Sequence, residues 1–246
     1  LLSYTWSRTF DSGMADGDGT TPGATFWPLP GTSRADWGLS QLNLNDQFSA
    51  SVLYDLPFGK GKAWGSDWSG VENGILGGWH VNVIEKATSG FPLFVVDSLN
   101  NSGVNFQWNG TPLNRPDEVG NPNVGGPVAG NPGCVAPAEV HNKQYWFNPC
   151  AFTHATAGEL GDVSRAPLSG PRFVNTDFSA FKSFRLTERY TLQFRSEFFN
   201  LWNHAQFGLT GNGVFMQDVN SSSTFGAVNE TVNNPRVIQF ALRLDF

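Results

Sequence analysis

The chain is short of charge, of cysteine and of long apolar runs, and each shortage closes off a class of protein. Only 15% of its 246 residues are charged, and 15 Lys and Arg against 21 Asp and Glu leave a net charge of -6. No basic cluster stands out, so the electrostatic footprint of a nucleic-acid binder is missing. No segment approaches the roughly 18 to 20 apolar residues of a membrane-spanning helix, and mean hydropathy is -0.26. That rules out helical spans and leaves membrane strands open, because barrel strands alternate and average out as polar. The histidines, His80, His141, His154 and His204, are scattered, and no HExxH, GxSxG or GxxxxGK[ST] motif occurs. No enzymatic activity, metal or cofactor is therefore expected. Asp11, Asp16 and Asp18 with Gly17 and Gly19 hint at a calcium loop, but the EF-hand spacing and its closing Glu are missing, and an acidic loop is the simpler reading. The chain opens on LLSYTWS, without an initiator Met, a charged leader or a cleavage pattern, and reads as a processed or truncated piece.

What is abundant is Gly (28), Pro (15), Phe (21) and Trp (9). Gly and Pro punctuate turns, and aromatics with few charges suit strands that face something apolar. Arg236–Phe246 alternates strictly, with Ile238, Phe240, Leu242, Leu244 and Phe246 on one face and Val237, Gln239, Ala241, Arg243 and Asp245 on the other. At about 3.3 Å per residue and a tilt of about 40° it rises roughly 28 Å, enough for an apolar band about 25 Å tall. A sandwich strand has only about five or six residues. The same period runs through Tyr190–Asn203, Val174–Leu186, Asp46–Leu56 and the short first strand from Leu2. Trp79–Val96 is less regular, and a bulge is expected where Glu85 and Lys86 interrupt it. Six strands result.

Thr187, Glu188 and Arg189 make a tight hairpin, and Phe58–Gly78 is moderate, whereas Phe10–Asn45, Asp97–Arg172 and His204–Asn234 are long. Short and long connections alternate, as periplasmic turns and extracellular loops do in outer-membrane barrels. The polar face carries Asn175, Asp177, Arg185, Arg195, Glu197, Arg243 and Asp245, too many charges for a dry core and well suited to a hydrated lumen. The expected fold is all-β: an antiparallel up-and-down meander forming part of a transmembrane β-barrel, about six strands of a larger one, with long extracellular loops. The alternative is a secreted or surface β-sandwich, a binding module or adhesin. There Phe178, Phe194, Phe198, Phe240 and Leu242 would be buried against a second sheet.

Cys134 and Cys150 share one Gly/Pro/Asn-rich loop. A disulfide between them would close roughly 15 residues and contribute about 3 kcal/mol, in an oxidising compartment. Trp27, Trp37, Trp108 and Trp146 fall in the outward loops with Arg115, Asp117 and Tyr145, and flat aromatic faces beside polar groups can hold a ligand such as a sugar. Packing within a folded loop cap is the competing account. Trp6, Trp79 and Trp202 lie at strand ends, where an aromatic girdle explains them.

The run GPRFVNTDFSAFKSFRLTERYTLQFRSEFFNLWNHAQFG, followed by NNPRVIQFALRLDF, resembles the C-terminal end of TonB-dependent outer-membrane receptors, in particular the Oar-like group. LLSYTWSRTFD, SVLYDLPFGKGK and GGWHVNVIEKATSGFP resemble the preceding hairpins of that group. The resemblance implies a barrel of about 22 strands, plugged by an N-terminal domain. Such a receptor imports a scarce or bulky nutrient (a carbohydrate, peptide or metal chelate) with energy delivered by TonB through the plug. It also implies a bacterial outer-membrane location, contact with outer-membrane lipid, and an assembly signal in Phe240, Leu242, Leu244 and Phe246 read by the barrel-assembly machinery. Plug, TonB-contacting segment and most strands are missing, so residues 1–246 are expected to be a C-terminal fragment of a longer receptor.

Overall fold

The computed structural model describes residues 1–11, 37–40, 42–99, 101–103, 107–108, 111–112, 114–209 and 216–246. Six strands, β1 (Leu2–Trp6), β2 (Asp46–Asp55), β3 (Trp79–Thr88), β4 (Phe173–Arg185), β5 (Thr191–Phe199) and β6 (Val237–Asp245), form one sheet in chain order. Every neighbouring pair is antiparallel, so the sheet is an up-and-down meander. Residues directly opposite each other share a face. Val52, Val83, Phe178, Phe198 and Ile238 therefore stand in one row on the apolar side. Asp55, His80, Phe181, Arg195 and Ala241 form a row on the polar side.

No bulge interrupts β3. Glu85 pairs with Ala50 and Thr176, and Lys86 with Ser49 and Asn175, without a slip in register. Lys86 falls on the polar face, so Glu85 alone is out of pattern, and Thr176 Oγ1 donates to its carboxylate. Trp202 Nε1 donates to the same hydroxyl at 3.0 Å, which ties the start of the next loop to this spot. The irregularity lies further on, at Gly90. A Cβ there would sit 1.8 Å from the Gly170 carbonyl oxygen, and beyond it the strand Pro92–Val96 leaves the sheet. At the end of β5, Asn200 turns the chain in the left-handed region (φ 51°), and its amide donates to the carbonyls of His204 and Asn234. The strand thus stops short of Asn203.

Antiparallel order places the connections β1–β2, β3–β4 and β5–β6 at one end and the two short ones at the other. The long-loop end is the extracellular one in an outer-membrane barrel. At the periplasmic end a short helix, α1 (Gly70–Leu76), lies between β2 and β3. Lys182, on the apolar face of β4, reaches this helix and donates to the carbonyls of Asn73 and Gly77 at its C-terminal end, where a cation complements the exposed carbonyls.

The hydrophobic core of the molecule sits in the loops, not on the sheet. Pro92–Val96 pairs with Leu168–Ser169 and with Met216–Asp218. Leu93, Val95, Val163 and Leu168 pack there with Phe147, Phe152 and Phe225, whose rings meet steeply inclined at centroid distances of 5.1 to 5.9 Å. The disulfide Cys134–Cys150 pins this cap. By contrast, Phe240 and Leu242 on the apolar sheet face are each 69% exposed. No described element covers them, as a sandwich would require, so this face is an outward band. The sheet is open, with β1 and β6 at its edges. A bilayer tolerates strands only in a closed barrel, so the sheet is one sector of such a wall.

Candidate ligand site beneath the cap

Where β3 and β4 run into the cap, a cavity of about 510 Å³ opens, lined from both sides. Gln47, Thr88 and Phe173 form one register row on the polar, lumen-side face, and Lys86 lies on the same face. Leu93 and Leu209, both buried members of the cap core, line the cavity from the cap side, with Phe91 and Phe207 beside them. Gln206 holds this arrangement together. Its side chain accepts from Val174 N at 2.9 Å and donates to Val174 O at 2.6 Å, taking the place of a strand residue beside β4.

Three charges border the apolar space: Lys86, Arg172 and Glu230. Lys86 Nζ stands 5.8 Å from the Phe173 ring centroid. Among the described residues neither cation has a carboxylate partner. Glu230 pairs with Gly208 and lies flat over it: a Cβ at Gly208 would be 2.8 Å from Glu230 Oε1. Below this mouth the polar face carries the row Asp55–His80–Phe181–Arg195. The His80 ring stacks on Phe181 at 5.2 Å, the Arg195 guanidinium lies 5.4 Å from the same ring, and His80 Nδ1 contacts Asp55. Glu197 pairs with Arg195 at 3.5 Å and accepts from Gln239. The wall is thus hydrogen-bonded and charged, which fits water in the lumen.

The ligand candidates read from sequence are not gathered at this cavity. Trp27 lies outside the described residues. Trp37 is exposed and stacked on Phe10 at 6.3 Å. Trp108 belongs to a two-residue strand paired with Thr111–Pro112. Arg115 is buried and donates to the Val163 carbonyl. Asp117 pairs with Thr153 and accepts from Asp162 N, and Tyr145 bridges to Ala227. Trp146 donates from Nε1 to Ser169 O at 2.8 Å and packs on the cap core. It also borders a second hollow of about 960 Å³, on the lipid side of the sheet with Phe48, Ala87 and Val174. Beside Asp117, the Glu118 carboxyl is held above its ordinary value, first by desolvation and then by Asp162. Among the described residues no group of three His, Cys, Asp or Glu side chains is placed to hold a metal ion.

Lys86, Arg172 and Glu230 escaped the sequence reading because they come from three distant segments. The one local signal was the apparent break at Glu85 and Lys86. Phe240, Leu242 and Leu244 line the apolar face of the edge strand β6, and Phe246 follows it fully exposed.

The chain matches a family model described as an outer membrane beta barrel domain over residues 1–239. Comparison with curated proteins and with solved structures returns no match. The meander, the uncovered apolar band and this match agree: the chain belongs to the outer membrane beta barrel domain family, and its place is the bacterial outer membrane, against lipid.

Proposed function

We propose that this chain is the C-terminal sector of the barrel of a TonB-dependent receptor of the Oar-like type, and that it serves nutrient uptake. The observation that carries the reading is the cavity at the lumenal mouth, roofed by a cap folded from two loops and pinned by a disulfide. A cap with its own core presents a preformed site to the outside, and the polar wall below gives a hydrated path inward. In this reading the cap captures the ligand, and the remaining strands and a plug belong to the same receptor. TonB acts on that plug to open the path past His80, Phe181 and Arg195. The exposed series Phe240, Leu242, Leu244 and Phe246 serves the barrel-assembly machinery. The role is binding and passage, without bond making.

The test is a depletion experiment. Cells lacking the receptor and cells lacking TonB are grown in a complex medium, and the compounds left unconsumed are compared. Uptake through a TonB-dependent receptor requires that every compound spared by the receptor deletion is also spared by the TonB deletion. Receptor-dependent consumption that persists without TonB contradicts the proposal.

A further inference from the structure

We infer that the cavity beneath the cap binds an amphipathic organic anion: an apolar body carrying one carboxylate. The inference deepens the uptake reading by naming its ligand class, and its biological meaning rests on that reading. The volume of about 510 Å³ falls within the range of small-molecule sites, which are mostly apolar with a few placed polar groups. Phe91, Phe173, Phe207 and Leu209 supply the apolar surface.

The charges set the polarity of the guest. Lys86 projects from the lumen face of β3, and Arg172 immediately precedes β4, the adjacent strand, so both cations belong to the wall side. Glu230 belongs to the cap side, folded over Gly208. Two cations against one carboxylate leave the site with an excess of one positive charge. Among the described residues no carboxylate neutralises the cations, so an anionic guest meets charge-assisted donors without displacing an internal partner. A neutral sugar would cover the phenyl rings and leave both cations unanswered. A cationic guest would face Lys86 and Arg172 directly.

The test uses the whole outer-membrane protein that carries this chain, reconstituted in nanodiscs and titrated calorimetrically with 2-naphthoate, 2-naphthol and 2-naphthylmethylamine. The three share an apolar body and differ in charge. Naphthoate is expected to bind about tenfold more tightly than naphthol, the scale of one charge-assisted hydrogen bond, and the amine most weakly. The double variant Lys86→Gln/Arg172→Gln is expected to lower naphthoate binding to the naphthol level and to leave naphthol unchanged. Glu230→Gln is expected to tighten naphthoate binding severalfold, a gain that a misfolded protein cannot show. Equal binding of naphthoate and naphthol, no binding of naphthoate, or indifference to the double variant would overturn the inference. A TonB-independent uptake phenotype bears on the transport reading alone and leaves this binding result intact.

Discussion

Single residues on β5 show how far a change of face matters. Phe194 stands opposite Leu242, stacks with Phe240 at 6.1 Å and meets Trp79 edge-on at 6.1 Å, all on the outward band. Phe194→Arg would place a guanidinium against hydrocarbon, at an expected cost of about 2 to 4 kcal/mol in folding into lipid vesicles. Gln193, one residue away, faces the lumen across from Arg243. Gln193→Arg should cost under about 1 kcal/mol, from the like charge opposite. Urea titrations in vesicles measure both, and equal costs would contradict the assignment of faces. In the cap, desolvation and Asp162 raise the Glu118 pKa above 4.5 and so favour its protonated form in the folded state. Its contribution is full below 4.5 and is lost as pH rises through the folded value. Glu118→Gln should therefore remove stability loss in that window. Cap unfolding followed by Trp146 fluorescence, in wild type and variant from about pH 4 to about pH 7, measures it.

Among elements, the cap and the sheet hold together by different means and should separate experimentally. The cap has a buried core and a disulfide spanning 16 positions, and the sheet relies on its ladders and, in the membrane, on lipid. Cys134→Ser should destabilise the cap by about 3 kcal/mol in the chain-entropy account of a loop of this length. Hydrogen exchange should then speed up around Phe147, Phe152 and Val163 while β4 and β5 keep their protection. Loss of protection in β5 together with the cap would show that the two are one cooperative unit. The strands were legible in the sequence because a period of two is local: Phe178 and Ala180 reveal their face without reference to any other strand. The cap was not. Leu93, Phe147, Val163 and Phe225 come from separate stretches with no common period, and long-range pairings such as Leu93 with Leu168, Trp146 N with Gly226 O and Val163 N with Pro116 O bring them together. The ligand cavity escaped for the same reason: Lys86 and Arg172 come together through the pairing of β3 with β4, and Glu230 reaches the cavity from the cap side. Trp146 and Arg115, chosen as ligand contacts by residue type, are held within the folded loops by Ser169 and Val163.

For the whole molecule, the governing fact is that the hydrophobic core lies above the membrane while large apolar side chains stand uncovered along the outward face of the sheet. Phe94, Phe147 and Phe152 are sealed inside the cap, while Leu242 and Phe240 look outward from β6. That inversion makes sense only if lipid is the solvent of the outward face, and the open edges at β1 and β6 require further wall to close the barrel. The most direct test places single nitroxide labels in turn at positions 192 to 197 of β5 in the whole protein in bilayers, and compares collisions with lipid-soluble oxygen and with a water-soluble nickel chelate. A lipid-facing band predicts high oxygen accessibility at Leu192, Phe194 and Ser196 and high nickel accessibility at Gln193, Arg195 and Glu197, a period of two. Loss of the alternation, or its reversal in phase, would contradict the placement of this sheet in the barrel wall.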